Sequence, residues 1–212
     1  MWRCLSAISR SHVYYTSMEQ MLRNPPGNSF DLVGGHFSFS TIASILEPND
    51  WVIGLMREPT SRLRSAFLHA RRPDEDVETF TPAMRTMRER RFTEFLSTLD
   101  GKIEARVQLV MLGAPHDAPL PDDRESLEAA RRVLARERTF FGPTIDPQRF
   151  LDVLTWKLGV RGHAFRHVNR TDYGAHEADI AEFAAARDEV LAENFAERAL
   201  YEDMQLLFAS RT

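Results

Sequence analysis

The chain has 212 residues, of which 43% are hydrophobic, and its 27 basic and 31 acidic side chains give a formal net charge of -4. A chain of this length buries a sizeable core and is expected to fold as one domain over residues 1–212. The near balance of charge excludes a global field that would draw the protein onto nucleic acid or a membrane surface. Any anion-binding site must therefore be local.

Cysteine and lysine are both rare in this sequence. Cys4 is the only cysteine, which excludes an internal disulfide and a thiolate metal cluster. No apolar run is long enough to span a bilayer, and the N-terminus lacks the apolar core of a signal peptide. We therefore expect a soluble, cytoplasmic protein, and the use of arginine in place of lysine suggests a bacterial genome.

The first third of the chain alternates between helical and extended patterns. Residues 2–22 carry apolar side chains at helical spacing, and the prolines that follow end the pattern. A strand is predicted over residues 31–35, a helix over 37–46 and the clearest strand over 51–56. The Glu58-Pro59 pair then predicts a helix from Thr60 to Ala70, because proline suits the first helical turn.

The rest of the chain is mainly helical in pattern. Helices are predicted over residues 80–99 and 126–138, from Asp146-Pro147 to Leu158, and over 180–208 with a break near Asn194. Residues 105–113 fit a strand or a helix, and we favour the helix. A further strand is predicted over 139–144. Strands that alternate with helices indicate an α/β fold of three layers with a small central parallel sheet.

Polar side chains follow two of the predicted strands. His36 comes directly after residues 31–35, and Arg57 follows residues 51–56. In open parallel sheets ligands bind beyond the carboxyl ends of the strands. His36 and Arg57 would therefore face the same crevice if these two strands are neighbours.

The sequence Arg57-x-Pro59-x-x-Arg62-x-x-Ser65 has the chemistry of a phosphate site. An arginine fork matches two phosphate oxygens, serine adds a hydroxyl donor, and free N–H groups at a helix start favour negative charge. The alternative is an ordinary helix start with solvated arginines and a serine that is merely small. The spacing alone does not decide between the two.

This sequence resembles the 3′-phosphate-binding motif of sulfotransferases that use 3′-phosphoadenosine-5′-phosphosulfate (PAPS). In that family the first arginine and the serine hold the 3′-phosphate, so the resemblance assigns PAPS binding to Arg57 and Ser65. Gly35-His36-Phe37 is similar to an element of the carbohydrate sulfotransferases, especially the heparan sulfate 2-O-sulfotransferase type. Weaker similarities lie at residues 108–113, 168–169 and 200–201.

The resemblance implies that His36 is the base that takes the proton of the acceptor hydroxyl, a role that suits imidazole because it titrates near neutral pH. The alternative is a histidine that ties a strand end to a loop. No metal is implied, and the other histidines have no spacing typical of a metal site. The acceptor would be a hydroxyl-bearing carbohydrate or similar molecule, bound by loops within residues 72–92 and 114–125.

One family element is absent from this sequence. The Lys and Gly/Thr-rich loop that holds the 5′-phosphosulfate does not precede residue 31, and the first lysine is Lys102. We therefore expect an N-terminally truncated, P-loop-like sulfotransferase fold. Two functions stay open: sulfonate transfer from PAPS, or a non-catalytic binding protein of the same fold. A third, an unrelated helical interaction module, requires residues 51–56 to be helical. The oligomeric state is not indicated.

Overall fold

The computed structural model describes residues 12–15, 20, 23–24, 32–35, 38–73, 77–114, 122–159, 164 and 176–211. Within these ranges the strands form two parallel pairs. Strand β1 (His12–Tyr15) pairs with β2 (Leu32–Gly35), and β3 (Val52–Met56) pairs with β4 (Thr139–Pro143). Helices make up most of the rest, which confirms an α/β protein with a small parallel sheet.

The helices follow the predicted pattern closely. Residues 105–113 are helical in type, as favoured, but the segment is divided at Arg106, and the C-terminal region breaks at Asn194 as predicted and also at Ala186. A 3₁₀ turn lies at Val77–Thr79. In chain order the helices are α1 (Phe39–Ala43), α2 (Pro59–Ala70), α3 (Pro82–Glu89), α4 (Phe92–Ser97), α5 (Leu99–Ala105), α6 (Val107–Gly113), α7 (Asp123–Ala135), α8 (Pro147–Leu158), α9 (Glu177–Ala185), α10 (Arg187–Glu193) and α11 (Phe195–Arg211).

The pair β3–β4 lies in the larger apolar cluster, which we call the sheet cluster. Helices α7, α8 and α11 all pack against β4. The Phe140 ring of β4 stacks on Phe150 of α8 with centroids 5.1 Å apart and meets Phe208 of α11 at 5.7 Å. A Cβ at Gly142 would lie 2.3 Å from the Phe150 ring, so glycine is what lets α8 approach this closely.

The second apolar cluster, which we call the helix cluster, is built without strands. Helix α2 supplies Leu63 and Phe67, and helices α3, α4, α5, α9 and α10 surround them. The Phe67 ring lies 4.7 Å from Phe92, and Phe92 lies 4.8 Å from Phe183. Helix α2 therefore begins at the carboxyl end of β3 and buries its apolar face in this cluster.

One expectation from the sequence is wrong, and the condition attached to another is not met. Residues 12–15 form a strand instead of part of a helix, and Tyr14 and Tyr15 are of the aromatic type that favours strands. Strand β2 pairs with β1 and not with β3, so the condition that placed His36 and Arg57 in one crevice is not met among the described residues.

The helical-module alternative is also wrong, because Val52–Met56 is a strand. Over the part of the chain that the structure describes, no helix is both long and apolar enough to cross a membrane.

Candidate functional site

The β3–α2 junction carries the phosphate-binding motif predicted from the sequence. Strand β3 ends at Met56, and the Thr144 N–H donates to the Met56 carbonyl at 2.9 Å, which holds the strand end to β4. Arg57 follows, Glu58 is the N-cap of α2 and Pro59 is its first residue. The motif therefore lies at the carboxyl end of a parallel strand, as predicted.

The first turn of α2 is capped by Glu58, the residue that precedes the helix. The Glu58 carboxylate accepts hydrogen bonds from the backbone N–H groups of Thr60 at 3.0 Å and Ser61 at 2.7 Å. The Arg62 N–H donates to the Glu58 carbonyl, and Pro59 has no N–H. The expectation of free N–H groups at this helix start is therefore wrong, because a carboxylate already accepts the hydrogen bonds that a bound anion would.

The electrostatic environment of Glu58 follows from this cap. Burial raises the pKa of its carboxyl, but the hydrogen bonds from Ser61 and Thr60 outweigh burial and hold the pKa below its usual value. The buried Tyr201 of α11 lies close enough to sense this charge: burial raises the pKa of its hydroxyl, and the Glu58 carboxylate raises it further. Both shifts move the pKa values further from neutrality, so Glu58 is ionised and Tyr201 is protonated near pH 7.

The second arginine of the motif is neutralised inside the protein. The Arg62 guanidinium forms an ion pair with Glu104 at 2.6 Å and another with Glu197 at 3.3 Å. It also donates to the Glu104 carbonyl oxygen. Only 14% of the Arg62 side chain is exposed. Arg62 therefore joins α2 to α5 and α11 and is not available to a ligand in this arrangement.

Glu197 of α11 is a fully buried carboxylate. Its Oε2 accepts from the backbone N–H groups of Gln108 at 3.0 Å and Leu109 at 3.4 Å, at the start of α6. Its Oε1 accepts from Arg62 and from Gln108 Nε2 at 2.9 Å. Burial raises the pKa of Glu197 above its usual value, although the Arg62 charge and the hydrogen bonds from Gln108, Leu109 and Arg62 act in the opposite direction.

The Gln108 side chain connects this buried pair to Arg57. Its Oε1 accepts from the Arg57 N–H at 2.8 Å, and its Nε2 donates to the Arg57 carbonyl at 2.9 Å. Both backbone polar groups of Arg57 are thus bound by one side-chain amide. The chain just after β3 is fixed by α6 and, through Glu197, by α11.

The two predicted phosphate ligands keep their side chains unengaged. Within the described residues, the Arg57 guanidinium has no ion pair or hydrogen bond, and neither has the Ser65 hydroxyl. Both side chains are partly exposed. Arg57 and Ser65 lie on the same strand–helix unit, and no hydrogen bond joins them. Of the two motif arginines, the structure leaves Arg57 unpaired and pairs Arg62.

His36, the predicted base, lies outside the described residues, and β2 ends immediately before it at Gly35. Its role stays a prediction from the sequence. Among the described residues no group of three His, Cys, Asp or Glu side chains is close enough to hold a metal ion.

Two residues important for this site were not predicted. Gln108 lies in a weak similarity that implies no role for it, and Glu197 is not among the predicted site residues. A signal for Glu197 exists in the sequence: it shares the apolar stripe of α11 with Leu200, Tyr201 and Met204. A single carboxylate on such a stripe indicates a buried partner, although not which one.

Comparison of the chain with protein-family models, with curated proteins and with solved structures found no match. The function must be argued from the residues of the site.

Proposed function

We propose that this chain is a sulfotransferase-like protein that binds PAPS and transfers its sulfonate group to a hydroxyl of a carbohydrate or similar acceptor. The observation that carries the proposal is the Arg57 guanidinium, unpaired among the described residues, at the carboxyl end of β3, on a backbone held by two hydrogen bonds with the Gln108 side chain. Ligands of parallel α/β sheets bind at this position.

Electrostatics favours Arg57 over Arg62 as the phosphate ligand. Arg62 already has two carboxylate partners, one of them fully buried. Withdrawing Arg62 toward a ligand would leave Glu197 as a buried charge without its cation, which is costly. Arg57 has no such partner among the described residues, so its five N–H donors are free to meet phosphate oxygens.

The occupied start of α2 restricts how a phosphate would bind. Because Glu58 accepts from the Thr60 and Ser61 N–H groups, the motif donors without a partner among the described residues are the Arg57 guanidinium and the Ser65 hydroxyl. Those are the two side chains that the resemblance assigns to the 3′-phosphate. We propose that these two side chains bind the phosphate and that the backbone N–H groups of α2 do not.

The finer parts of the proposal rest on the sequence. They comprise the three-layer, P-loop-like form of the fold and His36 as the base. In the transfer reaction, the acceptor oxygen would attack sulfur as His36 takes its proton, and the bond from sulfur to the phosphate oxygen would break. Arg57 and Ser65 would orient the nucleotide from its 3′ side.

The test is calorimetric titration with 3′,5′-adenosine bisphosphate and with adenosine 5′-monophosphate, which lacks the 3′-phosphate. We expect tighter binding of the bisphosphate, and a loss of about tenfold or more in Arg57→Ala, because a charge-assisted hydrogen bond is worth about 1.5–3 kcal/mol. Ser65→Ala should lose less. Arg132→Ala, an exposed arginine of α7, is the matched control.

Equal affinity for the two nucleotides, or full affinity in Arg57→Ala, would contradict the proposed 3′-phosphate site. A transfer assay with labelled PAPS and a panel of carbohydrates separates the two functions. Binding with product formation supports the transferase, and binding without it in every acceptor supports the non-catalytic binding protein.

A further inference from the structure

Arg57 leaves β3 with its backbone groups facing away from β4. The Met56 carbonyl accepts from the N–H of Thr144, the residue that follows β4, and successive residues of a strand direct their peptide groups to opposite sides. Among the described residues no strand pairs with β3 on that other side. The Gln108 side-chain amide takes the position of a neighbouring strand there, because it forms hydrogen bonds with both the N–H and the carbonyl of Arg57.

Gln108 is in turn fixed from two directions. Its backbone N–H donates to Glu197 Oε2 at 3.0 Å, and its side-chain Nε2 donates to Glu197 Oε1 at 2.9 Å. Glu197 is also bound by Arg62, which belongs to the helix that Arg57 precedes. The contacts form a closed loop from Arg57 through Gln108, Glu197 and Arg62 back to the start of α2.

From this loop we infer that Gln108 is a positioning residue for Arg57: it fixes the backbone from which the guanidinium reaches a ligand phosphate. The inference rests on the proposed function. An arginine side chain that makes no contacts in the free protein loses conformational entropy when it binds a ligand. A backbone that is already fixed reduces the further entropy that must be lost on binding. Gln108 itself would make no contact with the nucleotide.

The decisive variant is Gln108→Met, which keeps a similar volume and removes the amide. We expect its affinity for 3′,5′-adenosine bisphosphate to fall about tenfold, which corresponds to about 1.4 kcal/mol. The salt dependence of binding should stay as in the wild type, because the charge of Arg57 is retained, whereas Arg57→Ala should weaken it. Gln205→Met, an exposed glutamine of α11, is the matched control and should bind normally.

Hydrogen exchange gives a readout that needs no ligand. The Arg57 amide should be protected in the wild type and exchange faster in Gln108→Met, while amides of the β3–β4 ladder stay protected. If Gln108→Met does not fold, Gln108→Asn replaces it, since that side chain keeps the amide but is one methylene too short to hold both Arg57 groups. It should lose affinity in the same way.

The outcomes separate the two proposals. Loss of binding in Arg57→Ala with unchanged affinity in a folded Gln108 variant overturns the positioning role and leaves the proposed function intact. Lowered thermal stability with unchanged affinity overturns it too, because that result describes a purely structural residue. Full affinity in Arg57→Ala, or no binding by the wild type, overturns the proposed function and the positioning role with it.

Discussion

At the scale of single residues, the site depends on which of its arginines already forms ion pairs with carboxylates. Arg62 is bound by Glu104 and Glu197, whereas Arg57 is unpaired among the described residues. Removing one member of a buried pair leaves the other as an uncompensated charge. We expect Arg62→Met to lower the free energy of unfolding by about 3–5 kcal/mol, measured by urea denaturation.

The control for this prediction is Arg132→Met on the surface of α7, which should change stability by less than about 0.5 kcal/mol. The double variant Arg62→Met/Glu197→Gln should be more stable than the sum of its single changes by about 1 kcal/mol or more, because the uncompensated charge is gone. Simple additivity would mean that Arg62 and Glu197 do not depend on each other.

The sequence predicted the position of the proposed phosphate motif but not the ion pairs that its arginines form. The strand, the proline at the helix start and the arginine spacing are local features, and they were sufficient to place Arg57 beyond β3. The partners of Arg62 lie 42 and 135 residues away along the chain. Spacing carries no information about such contacts, so the neutralisation of Arg62 could not be predicted.

At the scale of elements, the capping of α2 makes its stability depend on pH. The folded pKa of Glu58 lies below its usual value of 4.5, so its contribution is complete above that pH and is lost as the pH falls through the folded pKa. We expect Glu58→Ala to cost about 1 kcal/mol at pH 7, from loss of the cap, and the difference from wild type to shrink below about pH 4.5.

Urea denaturation at several pH values measures this difference. Glu202→Ala, an exposed glutamate of α11, is the control and should stay within about 0.5 kcal/mol of wild type at pH 7. A cost in Glu58→Ala that is the same at pH 3.5 and pH 7 would show that the carboxylate charge does not act in the cap.

The contact between α6 and α7 depends on a glycine. A Cβ on Gly113 would lie 1.9 Å from the backbone oxygen of Ser126, which no side-chain rotation relieves. We expect Gly113→Ala to cost about 3 kcal/mol, measured by thermal or urea unfolding, because the two helices must separate. Gly159→Ala, where the added Cβ has nothing within 4 Å and only the left-handed backbone is strained, should cost about 1 kcal/mol. Equal costs would contradict the close approach.

Elements with strong local signals were predicted well, and those defined by distant pairing were not. Val52–Met56, Thr139–Pro143 and the helix that begins at Pro147 were recognised from apolar runs and proline positions. The apolar spacing over residues 2–22 predicts a helix, whereas His12–Tyr15 is a strand that pairs with Leu32–Gly35. Short strands depend on their neighbours, which the periodicity of a single segment does not reveal.

At the scale of the whole molecule, the buried polar contacts join two apolar clusters. Helix α2 places Leu63 and Phe67 in the helix cluster, while its Arg62 is bound to Glu197 of α11, a helix of the sheet cluster. Gln108 adds a second connection, from α6 to the end of β3. We therefore expect a substitution that removes packing in one cluster to destabilise the other cluster as well.

This coupling tests the prediction that the chain is one domain. Phe67→Ala empties a fully buried site in the helix cluster and should cost about 3–5 kcal/mol. Trp51 packs against the sheet cluster, so its fluorescence, measured in a Trp2→Phe/Trp156→Phe background, reports on that cluster. In a single cooperative unit, the fluorescence and circular dichroism transitions in urea shift together to the same lower midpoint. Leu206→Ala, at a side chain 71% exposed on α11, should leave both unchanged. A fluorescence midpoint that stays in place while the dichroism divides into two phases would instead mean that the clusters unfold as separate domains.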